Sequence, residues 1–201
     1  YFNEKSLYYL GEKLVVLVKD FSKKNIQIEI IFVDDGSGDN SFNELLKIKD
    51  KLPDVKIIKL TRNFGAIIAV KTGKQFVTGD CFTVLPADLQ DPVELVYEMA
   101  EHWLNGSKYV IAVRKTRKDP LLNKIFSFFY YRLIKVFVSK DFPEGGFDVV
   151  LADKSLLKYF QNSGKNINPS LLAHWLGFSP KIIYYDRLER KFGKSRWNYK
   201  K

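Results

Sequence analysis

The sequence is poor in residues on which several kinds of protein depend. It holds one cysteine, one methionine and two histidines in 201 residues. The lone thiol, Cys81, excludes an internal disulfide framework and fits a reducing compartment. It lies inside the apolar run CFTVL and reads as an inert interior residue. His102 and His174 have no metal-type spacing to another ligand, and both read as structural. No Ser–His or Cys–His arrangement stands out, and no Walker-type Gly-Lys loop occurs. No stretch reaches the roughly 18 consecutive apolar residues of a spanning helix, and no signal-peptide pattern is seen.

Acids are also in the minority. Asp and Glu number 23 against 33 Lys and Arg, giving a net charge of +10. That balance favours an anionic partner, whether nucleic acid, acidic lipid or a phosphate-rich substrate. No nucleic-acid motif accompanies the charge, so nucleic acid is not expected as a partner. Apolar residues make up 46% and charged residues 28%, which supports a sizeable core under a soluble surface.

What is present is an alternation of strand and helix patterns. Residues 5–24 carry Leu7, Leu10, Leu14, Leu17, Val18 and Phe21 at helical spacing. A buried strand is expected from Ile26 to Val33, a helix in FNELLKIKDKL, and a strand in VKIIKLTR. A helix over 65–77, a strand in CFTVL, a helix from Pro92 to Leu104 and a strand in KYVIAVR follow. Beyond these lie an aromatic and basic helical pattern over 120–138, a break at PEGGFD, a further helix pattern, an apolar segment around HWLGF and a strand in KIIYYDR. Such alternation predicts an α/β fold with a mostly parallel sheet flanked by helices. In sheets of that kind ligands bind outside the carboxyl ends of the strands. Charge gathers at four such ends: Asp34-Asp35, Arg62-Asn63, Asp88 to Asp91, and Arg114. They read as one shared site in one domain spanning 1–201.

Five motifs carry the chemistry, and each has a plainer reading. VDDGSGDNS (33–41) offers carboxylates to a base or ribose, or is a turn in which Asp39 or Ser41 caps the next helix. RNFGAIIAVKTG (62–73) presents a helix N-terminus to an anion, or is an ordinary strand–helix turn. In PADLQDP, Asp88 and Gln90 are suited to a hard divalent cation, Mg²⁺ or Mn²⁺, while Asp91 also fits an N-cap. VRKTRKDP places Arg114 just beyond a strand, where a cation suits a phosphate, or is a solvated charge run. RKFGKSRWNYK is a glycine-containing basic loop able to close on a phosphate, or a basic tail.

These motifs, in this order and spacing, resemble family 2 glycosyltransferases of the GT-A fold, and among them the polyisoprenyl-phosphate glycosyltransferases. The resemblance covers nearly the whole chain. YFNE resembles the family's YNE motif, which normally follows a first strand; that strand is expected ahead of this sequence, and membrane helices after it. The resemblance implies that Glu4 and Asp35, with Arg62 and Asn63, contact the donor nucleotide, a uridine or guanosine diphosphate sugar. It implies that Asp88 and Gln90 hold the divalent cation on the diphosphate. Arg114, Lys124 and Ser127 would face an acceptor phosphate, with Lys194 and Ser195 from the basic loop. Residues 120–138 would lie on the membrane as an amphipathic helix, or pack as a core helix. The cytoplasmic face of the membrane is the implied location, with this segment itself soluble, and a homo-oligomer is admitted.

Two residues depart from the family pattern. Pro86 stands where relatives carry the first acid of Asp-Ala-Asp, removing one carboxylate from the cation site. Asp148 stands in GGFDVV where many relatives carry Arg, and is a candidate for binding a sugar hydroxyl or acting as a base. The implied reaction is an inverting sugar transfer from a nucleoside diphosphate to a polyprenyl phosphate, with Asp88, Arg114 and Asp148 at the chemistry. A phosphate acceptor is already ionised at neutral pH and needs no strong base. Two other readings stay open: transfer to a glycan or other hydroxyl acceptor, with Asp148 or Asp91 as base, and a degenerate protein that binds sugar nucleotides without turnover.

Overall fold

A computed structural model describes residues 1–52, 54–115, 132–133, 136, 142–143, 146–164, 167 and 169–192. The chain divides into two compact units. The first comprises Tyr1–Phe76, Pro86–Val93 and Leu188–Lys201; the second comprises Val77–Leu85 and Glu94–Arg187.

The first unit opens with α1 (Glu4–Ser22), whose apolar stripe Leu7, Leu10, Leu14, Leu17 and Phe21 is buried, as its helical spacing predicts. The stripe packs on α2 (Ser41–Lys49), which contributes Leu45 and Ile48. The two helices approach closely at Gly11, where an added Cβ would lie 2.8 Å from Ile48 Cγ1. Strands β1 (Ile30–Asp34) and β2 (Val55–Lys59) pair in parallel, from Ile30 opposite Val55 to Asp34 opposite Lys59. β1 begins four residues later than the apolar run suggests. β2 supplies partners only from Val55 onward, and a strand extends no further than its ladder. Helix α3 (Ala66–Lys74) follows β2 and packs on β1.

The second unit holds β3 (Cys81–Thr83), α4 (Leu95–Leu104), β4 (Tyr109–Arg114), β5 (Val149–Asp153), α5 (Lys154–Asn162), α6 (Pro169–Trp175) and β6 (Lys181–Tyr185). Its sheet has the order β3-β5-β4-β6. β4 and β6 are parallel, but β5 runs antiparallel to both neighbours. The α/β class holds; the sheet was expected to be mostly parallel, and in this unit it is mixed. β5 lies where a helix was expected directly after PEGGFD. The helix comes one strand later, and Asp153 caps it: its Oδ1 accepts the Ser155 N–H at 2.9 Å. Its other oxygen accepts the Trp103 indole N–H at 3.0 Å.

Tyr109, Ile111, Val113, Ala152, Leu156, Phe160 and Ala173 form the core of this unit. His174 lies in it among the rings of Tyr109, Phe142 and Phe147, in keeping with the structural role expected of it. The Cys81 thiol is pushed up to about 11, first by burial and then by Asp153 and Asp80, which suits an inert interior thiol. α4 starts at Leu95 with Glu94 as its N-cap, so Pro92 precedes the helix and Asp91 does not cap it; Asp91 is instead buried. Among the described residues, no helix is long and apolar enough to cross a membrane. Of residues 120–138, only Arg132, Leu133 and Val136 are described, and all three are helical and exposed.

Candidate functional site

In the first unit the carboxyl ends of β1 and β2 bring together most of the expected donor residues. β1 ends on Asp34, and the chain turns at Gly36 with φ +66°. An L side chain there would be strained, and its Cβ would also sit 2.5 Å from the Arg62 carbonyl carbon. Glycine thus lets the β1 and β2 turns touch.

Asp35 locks that contact. Its two carboxylate oxygens accept the backbone N–H groups of Phe64 (2.7 Å) and Gly65 (2.9 Å), and the residue is 5% exposed. Gly65 is the N-cap of α3, so the carboxylate satisfies donors at a helix start that would otherwise lack partners. The sequence marks Asp35 as a nucleotide contact; the geometry gives both of its oxygens a structural occupation.

Asp34, one residue earlier, belongs to the same motif, but the resemblance gave it no role of its own. It is 3% exposed, and its Oδ1 accepts the Ser37 N–H at 3.1 Å. Its Oδ2 is buried with no hydrogen-bond partner among the described residues. A buried carboxylate oxygen left open is costly and suits a donor brought by a ligand, such as a hydroxyl or a ring N–H. The signal in the sequence was its place at the end of the strand, as the first acid of the VDDGSGDNS motif.

The N-terminal segment is tied to the same turn. Phe2 and Asn3 donate backbone N–H groups to the hydroxyls of Ser37 (3.0 Å) and Ser41 (2.9 Å). Glu4 accepts the Asn40 N–H at 3.0 Å. Glu4 is thus tied to the VDDGSGDNS turn. Arg62 is exposed at the other turn, with its guanidinium carbon 4.2 Å from the Phe64 ring centre; Asn63 is half-buried beside it.

PADLQDP belongs to this unit too. Ser6 Oγ on α1 donates to the Ala87 carbonyl at 2.8 Å and fixes the start of the segment. Leu89 takes the left-handed conformation, φ +60°, at a cost of roughly 1–2 kcal/mol for a residue with a Cβ. On either side of it, Asp88 Oδ1 accepts the Gln90 N–H at 3.2 Å. The remaining side-chain acceptors converge on one group. Arg190 Nη2 donates to Asp88 Oδ2 at 2.6 Å and to Gln90 Oε1 at 3.0 Å. The Leu188 N–H meets the Gln90 carbonyl at 2.9 Å.

The two residues expected to hold a divalent cation do not fit one in this arrangement. Both of their outward oxygens already serve a guanidinium, and Pro86 offers no side-chain ligand. Among the described residues, no group of three or more His, Cys, Asp and Glu is placed to share a metal ion.

In the second unit Arg114, at the end of β4, pairs with Asp148. Nε and Nη2 donate to the two carboxylate oxygens, each at 2.5 Å, and the Tyr185 hydroxyl adds a third bond at 3.2 Å. Burial works against the Arg114 charge, but Asp148 and Tyr185 outweigh it, so the guanidinium is held above its ordinary value. Asp148 thereby accepts three hydrogen bonds, two from Arg114 and one from Tyr185. Lys124, Ser127, Lys194 and Ser195 lie outside the described residues.

Comparison with known proteins shows the family to which the chain belongs. The profile of the family described as "Glycosyl transferase family 2" matches residues 2–158. A Bacillus subtilis (strain 168) protein named "Uncharacterized glycosyltransferase YkcC" is 35% identical, over 100% of this chain and 62% of its own length. The bactoprenol glucosyl transferase of Shigella phage SfX is 30% identical, over 90% of this chain and 60% of its own. The chain therefore spans about three fifths of these curated relatives. Among solved structures, a mannosyltransferase from Pyrobaculum calidifontis in complex with GDP-Man and Mn²⁺ superposes with a TM-score of 0.53 at 16% identity, covering 81% of this chain and 49% of that one. At that identity the likeness shows the fold alone, the GT-A fold that the motifs imply. With more than half of its length matched by the family profile, the chain belongs to glycosyl transferase family 2.

Proposed function

We propose that the protein transfers a sugar, with inversion, from a nucleoside diphosphate donor to a polyprenyl phosphate at the cytoplasmic face of a membrane. The observation that carries the donor half is the buried, open Oδ2 of Asp34 at the end of β1. It is set in a turn that Asp35, Gly36 and Glu4 hold rigid. A rigid buried acceptor discriminates for a ligand that brings a donor, because an analogue without one leaves the oxygen unpaired. Arg62, Asn63, Asp88 and Gln90 complete the donor group in this reading. The acceptor half rests on the relatives named bactoprenol glucosyl transferase and on the net charge of +10.

The chemistry follows from the acceptor. A phosphate monoester oxygen, already anionic, attacks the anomeric carbon in line. The bond from that carbon to the diphosphate oxygen breaks, and its electron pair leaves with the nucleoside diphosphate. No proton has to be removed from the nucleophile, so the engagement of both Asp148 oxygens by Arg114 and Tyr185 is no obstacle. Asp148 then orients Arg114 toward anionic groups and does not act as a base. Lys124, Ser127, Lys194 and Ser195 are proposed to bind the acceptor phosphate, and 120–138 to lie on the membrane. No step is assigned to a divalent cation.

The test is a transfer assay using radiolabelled uridine and guanosine diphosphate sugars with polyprenyl phosphate in vesicles. Formation of a labelled, mild-acid-labile lipid supports the reading. Transfer only to hydroxyl acceptors refutes the acceptor half, and no turnover with any donor refutes the whole.

A further inference from the structure

We infer that Arg190 takes the place of the divalent cation in the donor site, so that this protein binds the nucleoside diphosphate without metal. The inference rests on the donor reading above and gives the first residue of the RKFGKSRWNYK motif a specific place in it.

Three observations lead to it. First, Arg190 Nη2 lies at hydrogen-bond distance from both Asp88 Oδ2 and Gln90 Oε1, 2.6 and 3.0 Å away. A cation bridging those residues would need the same two oxygens. Second, the placement is built in. Leu188, two residues earlier, is bonded through its N–H to the Gln90 carbonyl, and Phe192, two residues later, stacks on Tyr9 at 5.1 Å with the rings 15° apart. The chain at Arg190 is thus fixed by a backbone hydrogen bond before it and by a ring stack after it. The left-handed Leu89 turns the 88–90 segment where the pairing forms. Third, the electrostatics match Pro86. Proline at 86 brings no side-chain charge to this segment. From Pro86 to Gln90 Asp88 is the one carboxylate, and one guanidinium balances it.

The geometry also leaves Arg190 capable of the task. Only Nη2 is used; among the described residues, the N–H groups on Nε and Nη1 have no other hydrogen-bond partner. The side chain is 28% exposed, against 14% for Asp88, so part of the guanidinium is reachable from outside. A planar fork fixed at one nitrogen and open at the others suits two oxygens of a diphosphate. Unlike a divalent ion it is never lost to a chelator. Asp88 and Gln90 become positioning residues for Arg190, and their oxygens touch the guanidinium and not the ligand.

The experiment is calorimetric titration of uridine and guanosine diphosphate into the full chain, with Mn²⁺ and with chelator, for wild type, Arg190→Gln and Arg190→Lys. Wild type is expected to bind one of the two equally well in both buffers. In chelator, Arg190→Gln is expected to bind roughly 10- to 100-fold more weakly, the scale of losing charge-assisted hydrogen bonds to phosphate. Arg190→Lys, which keeps the charge but not the fork, is expected to recover part of that loss, and thermal melting of each variant separates lost binding from lost folding. Wild-type binding that requires Mn²⁺, or Arg190→Gln binding in chelator as well as wild type, overturns the inference and leaves the donor reading standing. Absence of binding to either nucleotide in both buffers overturns the donor reading and this inference with it.

Discussion

Asp35→Asn separates two roles that a family motif cannot tell apart. A carboxylate that contacts only the nucleotide can be changed at little cost to the folded chain. Asp35 instead accepts two backbone N–H groups, at 2.7 and 2.9 Å, while 5% exposed. A hydrogen bond to a charged group contributes roughly 1.5–3 kcal/mol. Asparagine keeps one acceptor and turns an NH₂ toward the other N–H, so one bond is lost and a buried donor is left facing a donor. The expected destabilisation is about 2–4 kcal/mol. For a chain of this length that is a fall in melting temperature of about 5–15 °C. Urea unfolding followed by tryptophan fluorescence measures it directly. Nucleotide binding should weaken in parallel, and trimethylamine N-oxide, which favours the folded state, should restore much of it. A variant whose unfolding free energy stays within about 0.5 kcal/mol of wild type, with binding abolished, would refute the clamp and return Asp35 to the ligand.

Three other outcomes are expected. Gly36→Ala combines a left-handed backbone with a Cβ 2.5 Å from the Arg62 carbonyl carbon; it should lose about 2–5 kcal/mol in the same unfolding assay. Lys74 is 6% exposed and its ammonium is lowered from 10.5 to about 8, by burial and then by Lys71. Between those values the unfolded chain binds more protons than the folded one, so stability should rise by up to about 3 kcal/mol from pH 8 to 10.5, and Lys74→Met should flatten that rise in unfolding measured against pH. Cys81, held up to about 11, should react with a thiol reagent at pH 8 at least tenfold more slowly in the native chain than in urea, by roughly the ratio of thiolate fractions.

The parts of this molecule that were legible in the sequence are those built from neighbours along the chain. The stripe from Leu7 to Phe21 declared α1 because it repeats with the helical period, and VKIIK declared β2 as a short run rich in β-branched residues. β5 was hidden because VVLAD is short and runs straight into a helix whose apolar spacing dominates the window. Its antiparallel direction is decided by two strands far away in sequence. The polar residues at the strand ends were legible as a group, but their occupations were not. Asp35 binds backbone N–H groups, which have no letter in the sequence, and Arg190 meets Asp88 across 102 residues. A left-handed leucine such as Leu89 carries no compositional mark at all.

The separation of 102 residues between Asp88 and Arg190 has a consequence for how the chain reaches its final state. Most of the first unit lies in its opening 76 residues, with β1 and β2 only 25 positions apart in register, and these local pairings cost little loop entropy. The donor-site pair is different, since its arginine leaves the ribosome after the whole of the second unit has been made. A nascent or truncated chain can therefore hold a well-formed strand-and-helix scaffold in which Asp88 still lacks its counter-charge. Competence to hold a diphosphate is on this view acquired only after the second unit has been made. Any fragment ending before residue 190 would be folded in its opening part and electrostatically unfinished.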